Sequence, residues 1–375
     1  METTIEQWLI SLLRKLGIPE IPSKSVTNGQ WFLWSSIKGI DVEEMRNKGL
    51  FFQVQDTIWT KHLEIMRCNP YWQIHNKFVT VYLIDSEDEI GKFYTQLEEI
   101  ITSIKDFYEI DMLCVTTDFG ITKIFQNKNK SVIRLELPMF VNKKKTGKYS
   151  KIYCRNRNYC PLFEITEYYV DNTKIREICF DLSHFEFAIN YYKYNGIFVN
   201  LEKFKTARDI FHDELNQISQ NQISTNSIRL FSLFEALQFL NNYEIEVSNS
   251  FVGHVYKKII KNFALSLIQA NISHDEMNGL LNSGILKMLK LEMDRISKID
   301  KSILSNFDSK KLKETYGISI ELQKYLLGEN KRYFSIETAN DIEYFSDFPF
   351  SCEKITDESF RECLYRIALN RRMRQ

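Results

Sequence analysis

Val247-Ser-Asn-Ser-Phe-Val-Gly-His-Val-Tyr-Lys-Lys-Ile-Ile-Lys-Asn-Phe263 stands where the chain's character is already settled as helical. Apolar residues recur at helical spacing from Phe251 to Ile268, and Ser248 is placed to cap that helix. Lys257, Lys258 and Lys261 fall at i, i+1 and i+4 and share one helix side. Upstream, Phe231-Ser-Leu-Phe-Glu-Ala-Leu-Gln-Phe-Leu240 places apolar residues at i, i+3, i+6 and i+9, and Ile285 to Ile303 repeats the theme. The helical character begins near Leu201 and runs to about residue 328.

Before Leu201 the pattern is mixed. Residues 5–16 read as an amphipathic helix stopped by Gly17 and Pro19. Residues 31–34, 50–54, 78–84, 112–116 and 132–137 read as strands, and 91–106 as a helix. Residues 161–180 and 184–199 contain further strand-like segments rich in Tyr, Phe and Ile. Lys143-Lys144-Lys145 with Gly147 reads as a loop. The expected organisation is an α+β domain over residues 1–204, a helical domain over 205–330 and an extension over 331–375 that ends with Arg371, Arg372 and Arg374.

The 375 residues fit two or three domains at about 150 residues each. Hydrophobic residues at 44% and charged residues at 26% exclude disorder, collagen-like repeats and coiled-coil arrays for the chain as a whole. Lys+Arg and Asp+Glu both number 49, so a polyanion partner would have to be met by local clusters. The seven cysteines are Cys68, Cys114, Cys154, Cys160, Cys179, Cys352 and Cys363, without a C-x-x-C pair. The N-terminus has no basic and apolar leader, so the expectation is reduced thiols in a cytoplasmic protein. No apolar run reaches the length of a membrane-spanning helix. The six histidines lack metal-ligand spacing, so no zinc is expected.

No short catalytic motif is present: no phosphate-binding glycine loop, no nucleophile elbow, no paired-histidine metal motif. Glu164 and Glu186 sit inside aromatic stretches. Each is a hydrogen-bonded sheet residue or a carboxylate facing a pocket, where an amine or a magnesium-bound nucleotide would use it. The segment from Lys143 to Arg157 holds Lys143, Lys144, Lys145, Lys148, Lys151, Arg155 and Arg157 with no acid. It reads as a solvated loop or as a phosphate-contact surface with Tyr149 and Tyr153 interleaved.

The stretch from Arg229 to Ala264 resembles the helical domain of alanyl-tRNA synthetases. The resemblance lies in Ala236 and Phe239, then Ser248-Asn249, Gly253 and Lys257-Lys258-Ile259, in ungapped order. Lys310-Lys-Leu-Lys-Glu-Thr-Tyr-Gly-Ile318 is similar to a further segment of that family, with Glu314 in the place of an Asp. The N-terminal half is similar more loosely. Trp8 to Ser25 resembles the opening helix, and Leu33 to Ile40 the first class II motif. Arg67-Cys-Asn-Pro-Tyr71-Trp72 resembles the second motif, Pro161-Leu-Phe-Glu164-Ile a Pro-Cys-Ser-Glu-Ile segment, and Asn200-Leu-Glu-Lys203 the third motif. Together these span roughly residues 5–328.

The resemblance implies a class II synthetase-like antiparallel sheet flanked by helices, followed by an all-helical tRNA-binding domain. It implies ATP and magnesium as cofactors and a tRNA acceptor stem as partner, with no membrane. Asp56, Arg67, Tyr71, Trp72, Glu164 and Lys203 would line the nucleotide and amino-acid pocket: Tyr71 or Trp72 on adenine, Arg67 and Lys203 on phosphates, Glu164 on the amino acid or magnesium. Asn249 and Glu314 would read a G·U pair, while Lys257, Lys258, Lys261, Lys143, Lys144 and Lys145 would hold phosphates.

Asn200 stands where Gly is usual in the family, and three further positions of the N-terminal half depart from it. Asp56 stands where an Arg grips the α-phosphate, Lys203 where Arg is usual, and Gly196 where an Asp holds the ammonium. Two alternatives therefore stay open beside an active ligase: a non-catalytic pseudo-synthetase that binds tRNA as a regulator or partner subunit, and a tRNA-independent amino-acid ligase.

Overall fold

The computed structural model describes residues 4–23, 27–28, 31–32, 40–46, 48–58, 74–116, 118–127, 131–134, 139–140, 146–155, 160–170, 172–194, 225–243, 245, 247–249, 251–299, 311–312, 318, 322–323 and 326. The chain divides into two compact units. One comprises residues 1–200, 218–222 and 343–375, and the other residues 201–217 and 223–342.

The first unit is α+β. Helix α1 (Ile5–Lys15) opens with a capping box: Thr4 accepts from the Gln7 amide and Gln7 returns the bond. It stops at Gly17, whose φ of 71° suits a residue without Cβ. The short α2 (Val42–Met45) follows, capped by Asp41. Helix α3 (Ile90–Tyr108) buries Phe93, Leu97, Ile100, Ile101, Ile104 and Tyr108, a helical stripe. It ends at Glu109 in the left-handed region. Helices α4 (Phe119–Asn127) and α5 (Leu182–Tyr194) complete the set.

The strands are β1 (Glu20–Ile21), β2 (Thr27–Asn28), β3 (Trp31–Phe32), β4 (Leu50–Ile58), β5 (His75–Ile84), β6 (Met112–Thr116), β7 (Ser131–Arg134), β8 (Met139–Phe140), β9 (Thr146–Cys154), β10 (Cys160–Val170) and β11 (Thr173–Asp181). The main sheet runs β1-β4-β5-β11-β10-β9-β6-β7, with β8 added beside β9, while β2 and β3 pair separately. Its centre is antiparallel, but β1–β4 and β6–β7 are parallel, so the sheet is mixed rather than antiparallel throughout. Alternation gives the sheet two different faces. One presents Leu50, Phe52, Val79, Val81, Ile152, Phe163, Ile178 and Phe180 to helices α1, α3, α4 and α5, forming the main core. On the opposite face Met45, Phe51, Tyr82, Ile84, Tyr168 and Ile175 pack together at one end.

Several sequence expectations are corrected here. The segment around Gly147 is strand, not loop, since β9 starts at Thr146. A Cβ on Gly147 would lie 2.4 Å from the Glu167 carbonyl oxygen, so the close approach of β9 to β10 needs the glycine. The stretch from Leu182 to Tyr194 is helix α5 rather than strand, and Glu186 lies on it. Its Tyr and Phe content suits either state, and Asp181, which accepts from the Ser183 and His184 amides, decides for a helix start. Strand β7 ends at Arg134, and residues 135–138 lie outside the described ones.

In the second unit the described residues form α6 (Thr225–Asn241), α7 (Phe251–Gln269), a 3-10 turn (His274–Met277) and α8 (Ser283–Ser297). Phe234 of α6 stacks on Phe263 of α7 at 6.0 Å. Leu265, Ile296, Leu312, Ile318, Leu322 and Leu326 form a further core cluster. Helix α7 begins at Phe251, so Ser248 lies too far upstream to be its cap. No described helix is long and apolar enough to cross a membrane.

Candidate functional site

The polar part of the second sheet face is built by register. Gln53, Thr80, Cys179, Glu164 and Lys151 are successive cross-strand partners on β4, β5, β11, β10 and β9. At about 4.8 Å per strand, this row crosses some 19 Å of sheet. One row over, Tyr82, Glu177, Thr166 and Tyr149 are aligned in the same way. On the other side stand Gln55, Phe78 and Asp181, and beyond them Thr57 and Asn76. Gln53, Gln55, Thr57, Asn76, Thr80 and Lys151 are buried, and Glu164 keeps 40% of its side-chain area accessible, so this polar face has a recess only at Glu164.

The carboxylates of this floor differ in their partners. Glu164 accepts from Lys151 Nζ at 2.9 Å and from the Tyr149 hydroxyl at 2.8 Å. Burial works against its charge, but Lys151 and Tyr149 hold its carboxyl below the usual range. Glu177 has only hydroxyl donors among the described residues, Thr166 at 2.8 Å and Tyr168 at 3.0 Å. Burial, aided by the nearby Glu164, pushes its carboxyl up to about 7 against those hydrogen bonds. Burial also raises Asp181 and lowers His184, 3.7 Å apart. The Cys179 thiol accepts from Thr80 Oγ1 at 3.4 Å, and burial raises it well above the ordinary thiol range. Asn76 is fully buried, and its Oδ1 accepts from Ser183 Oγ at 2.6 Å.

Glu177 carries a sign that can be checked. A carboxyl raised from 4.5 to about 7 in the folded state binds more protons folded than unfolded. Its stabilising contribution is intact below pH 4.5 and is lost as pH rises through 7. Glu177→Gln is expected to flatten that loss, read as melting temperatures at pH 5 and pH 8. Equal slopes for wild type and variant would exclude Glu177 as the titrating group.

Of the residues expected in a nucleotide pocket, only Asp56 and Glu164 lie among the described ones. They do not share a face. Asp56 pairs with Lys77 on the helix-covered side, and His75 Nε2 approaches its Oδ1 at 2.8 Å. Lys77 in turn holds Glu6 of α1. The residues that β4 sends to the recess are Gln53, Gln55 and Thr57. Arg67, Tyr71, Trp72, Lys203 and Gly196 lie outside the described residues.

The basic segment also has an unexpected structure. Lys148 lies 3.5 Å from Asp118 and 3.6 Å from Glu167, Lys151 bonds Glu164, and Arg155 lies 3.6 Å from Asp111. These cations are matched by carboxylates supplied from other strands and α4's approach, a pairing invisible in the local sequence. Lys143, Lys144 and Lys145 lie outside the described residues.

On α7, Lys257, Lys258 and Lys261 are half-buried. Lys257 Nζ donates to Asn249 Oδ1 at 2.8 Å, which leaves the Asn249 amide group to act as a donor. Gly253 is buried. Glu314 lies outside the described residues, so its position relative to Asn249 is not defined.

Sequence reasoning missed Glu177, Asp181 and His184, and it placed Lys151 in a basic loop rather than beside Glu164. The available signal was alternation: Glu164 and Thr166, then Glu177 and Cys179, are polar at i and i+2 within aromatic strands. No group of three or more metal-ligating side chains occurs among the described residues.

No family model matches this sequence, and no curated protein does. Among solved structures, the apo histidyl-tRNA synthetase of S. aureus is similar at 7% identity. The match has a TM-score of 0.37 and covers 58% of this chain and 81% of that one. At that score the likeness carries no weight.

Proposed function

We propose that the chain is a divergent class II aminoacyl-tRNA synthetase-like protein that binds a tRNA acceptor stem through its second unit. The observation that carries the reading is the polar floor of the sheet. Five strands contribute Gln53, Thr80, Cys179, Glu164 and Lys151 in one row, a polar surface whose members bond to the protein and in which Glu164 keeps part of its carboxylate accessible to a ligand. Glu164, the one residue that the resemblance assigns to the amino acid or magnesium, stands within that floor between Cys179 and Lys151. ATP and magnesium would be held there, with Tyr71, Trp72, Arg67 and Lys203 as the resemblance assigns them.

Asp56 favours the non-catalytic form of this reading. It faces away from the recess and is matched by His75, so β4 brings no cation to an α-phosphate. The expected result is weak or no alanine-dependent ATP–pyrophosphate exchange, with tRNA co-purifying. Exchange assays with each amino acid, alongside extraction of bound RNA, decide it. Robust alanine-dependent exchange would overturn the non-catalytic form, and absence of both exchange and tRNA would overturn the whole reading.

Asn249→Ala and Glu314→Ala are expected to weaken discrimination for a G·U-bearing stem more than total binding. A good base-edge contact is worth about 1–3 kcal/mol, roughly a ten- to hundredfold change. The measurement compares tRNAs with G·U and G·C at one pair against wild type and both variants. Equal wild-type affinity for the two tRNAs would return both residues to local structural roles.

A further inference from the structure

We propose that one internal water molecule is bound between the sheet and helices α3 and α4, held by Arg176, Asp118 and Glu167 and closed in by Lys148. Arg176, Glu167 and Lys148 are successive cross-strand partners on β11, β10 and β9. They line a small cavity on the helix-covered face, together with Tyr94 of α3 and Asp118, which precedes α4. The space open to the centre of a water molecule there is about 10 Å³. That is about what one water needs.

The polar atoms around this space match a water. Arg176 is 3% exposed, and its Nη1 has no hydrogen-bond partner among the described residues. A buried donor left unpaired is costly, so an acceptor is called for. Asp118 Oδ1 already accepts from the Gly120 amide at 2.7 Å, and Glu167 Oε2 accepts from Arg176 Nε at 2.7 Å. The second oxygen of each carboxylate faces Lys148 Nζ, at 3.5 Å for Asp118 Oδ2 and 3.6 Å for Glu167 Oε1. Both distances exceed the 2.7–3.2 Å of a direct hydrogen bond and suit a bridging water. Burial, with Asp118 nearby, raises the Tyr94 phenol, so its hydroxyl keeps its proton and is a further donor.

Charge decides against an ion. Arg176 and Lys148 face Asp118 and Glu167, so the charged side chains that line the cavity cancel. An anion would meet the two carboxylates, and a cation the two basic groups. A water meets neither penalty: it accepts from Arg176 Nη1 and donates to Asp118 Oδ2 and Glu167 Oε1. Three hydrogen bonds are typical of a buried water. Lys148 keeps 54% of its side-chain area accessible, so it stands between the cavity and solvent. Because Asp118 also accepts from the first amides of α4, the water ties that helix start to the Arg176 network. The assignment does not depend on whether the chain binds tRNA.

The first test is a crystal structure of the full chain with sodium bromide as the salt, recorded at the bromine absorption edge. The expected result is a solvent peak at hydrogen-bond distance from Arg176 Nη1 and from Asp118 Oδ2 or Glu167 Oε1, without anomalous signal. An anomalous peak there would make the site an anion site, and Nη1 bonded directly to a protein acceptor would leave no role for a water; either overturns the proposal. The second test counts long-lived waters in solution by oxygen-17 relaxation dispersion. Lys148→Ala opens the cavity and should lose one long-lived water relative to wild type, whereas Lys123→Ala should lose none. An equal count in wild type and Lys148→Ala would overturn the closure by Lys148.

Discussion

Arg176→Ala is expected to remove about 3–5 kcal/mol of folding stability, because it breaks a buried ion pair from one side. Arg176 is 3% exposed and stands on the helix-covered face of the sheet. Its Nε donates to Glu167 at 2.7 Å, and its Nη2 donates to both oxygens of Glu87 at 3.0 Å. Glu167 also meets Lys148, which reaches Asp118, and Lys174 bonds Glu87. The network therefore joins β9, β10 and β11 to the loops that precede α3 and α4. Alanine leaves Glu167 inward-facing and deprived of its shortest contact. The loss follows from that stranded charge rather than from the worth of the pair. Arg176→Met with Glu167→Leu should accordingly recover most of it. Urea unfolding of the three proteins measures the comparison. A loss below about 1 kcal/mol in the single variant would show that solvent screens the site as it does a surface pair.

The network also has an acid limb. Hydrogen bonds from Lys174 and then Arg176 hold the Glu87 carboxyl below its ordinary 4.5. A lowered carboxyl contributes stability above its unfolded value, and that contribution is lost as pH falls below 4.5. Glu87 is largely exposed, so its share is small. The acid limb should nevertheless shrink in Arg176→Ala.

The legible and illegible parts of this chain differ for physical reasons. Helix α3 is readable because its apolar residues follow the helical period, and strand β6 because a short continuous apolar run reads as a buried strand. Strand β9 is not. Lys148 and Lys151 look like a solvated run in sequence, and only their cross-strand partners, Glu167 and Glu164, pair them with carboxylates, Lys151 being buried and Lys148 remaining exposed. Helix α5 was misread because Phe, Tyr and Ile suit strands, and the Asp181 side chain that starts the helix is one residue among many. The recess shows the same limit. Glu164 was singled out within its aromatic stretch, but Glu177 becomes its neighbour only once the β10–β11 register is known. Asp56 shows the converse. A shift of one residue along a strand exchanges faces, so proximity in sequence to Gln55 says nothing about sharing its pocket.

Affinity for a tRNA acceptor stem is expected to fall by about three orders of magnitude between 50 and 200 mM salt. The estimate follows from six lysines: Lys143, Lys144, Lys145, Lys257, Lys258 and Lys261. If each neutralises one phosphate of a duplex, log affinity falls against log salt with a slope of roughly −0.9 per contact, or about −5 in all. Over a fourfold change in salt that is about a thousandfold. The α7 lysines supply about half of it, so alanine at Lys257, Lys258 and Lys261 should reduce the slope by about 2.7. Lys257 holds Asn249 with one of its N–H groups and keeps two for a phosphate oxygen. Lys257→Ala alone should therefore do two things. It should lower affinity for every stem, and it should release the Asn249 carboxamide, reducing G·U discrimination as well. Lys261→Ala should do only the first, because phosphate contacts position the nucleic acid without reading it. Gel-shift titrations at four salt concentrations, with G·U and G·C stems, separate the two effects. Salt-independent binding, or an unchanged slope in the triple variant, would place the phosphate contacts elsewhere and remove α7 from the interface.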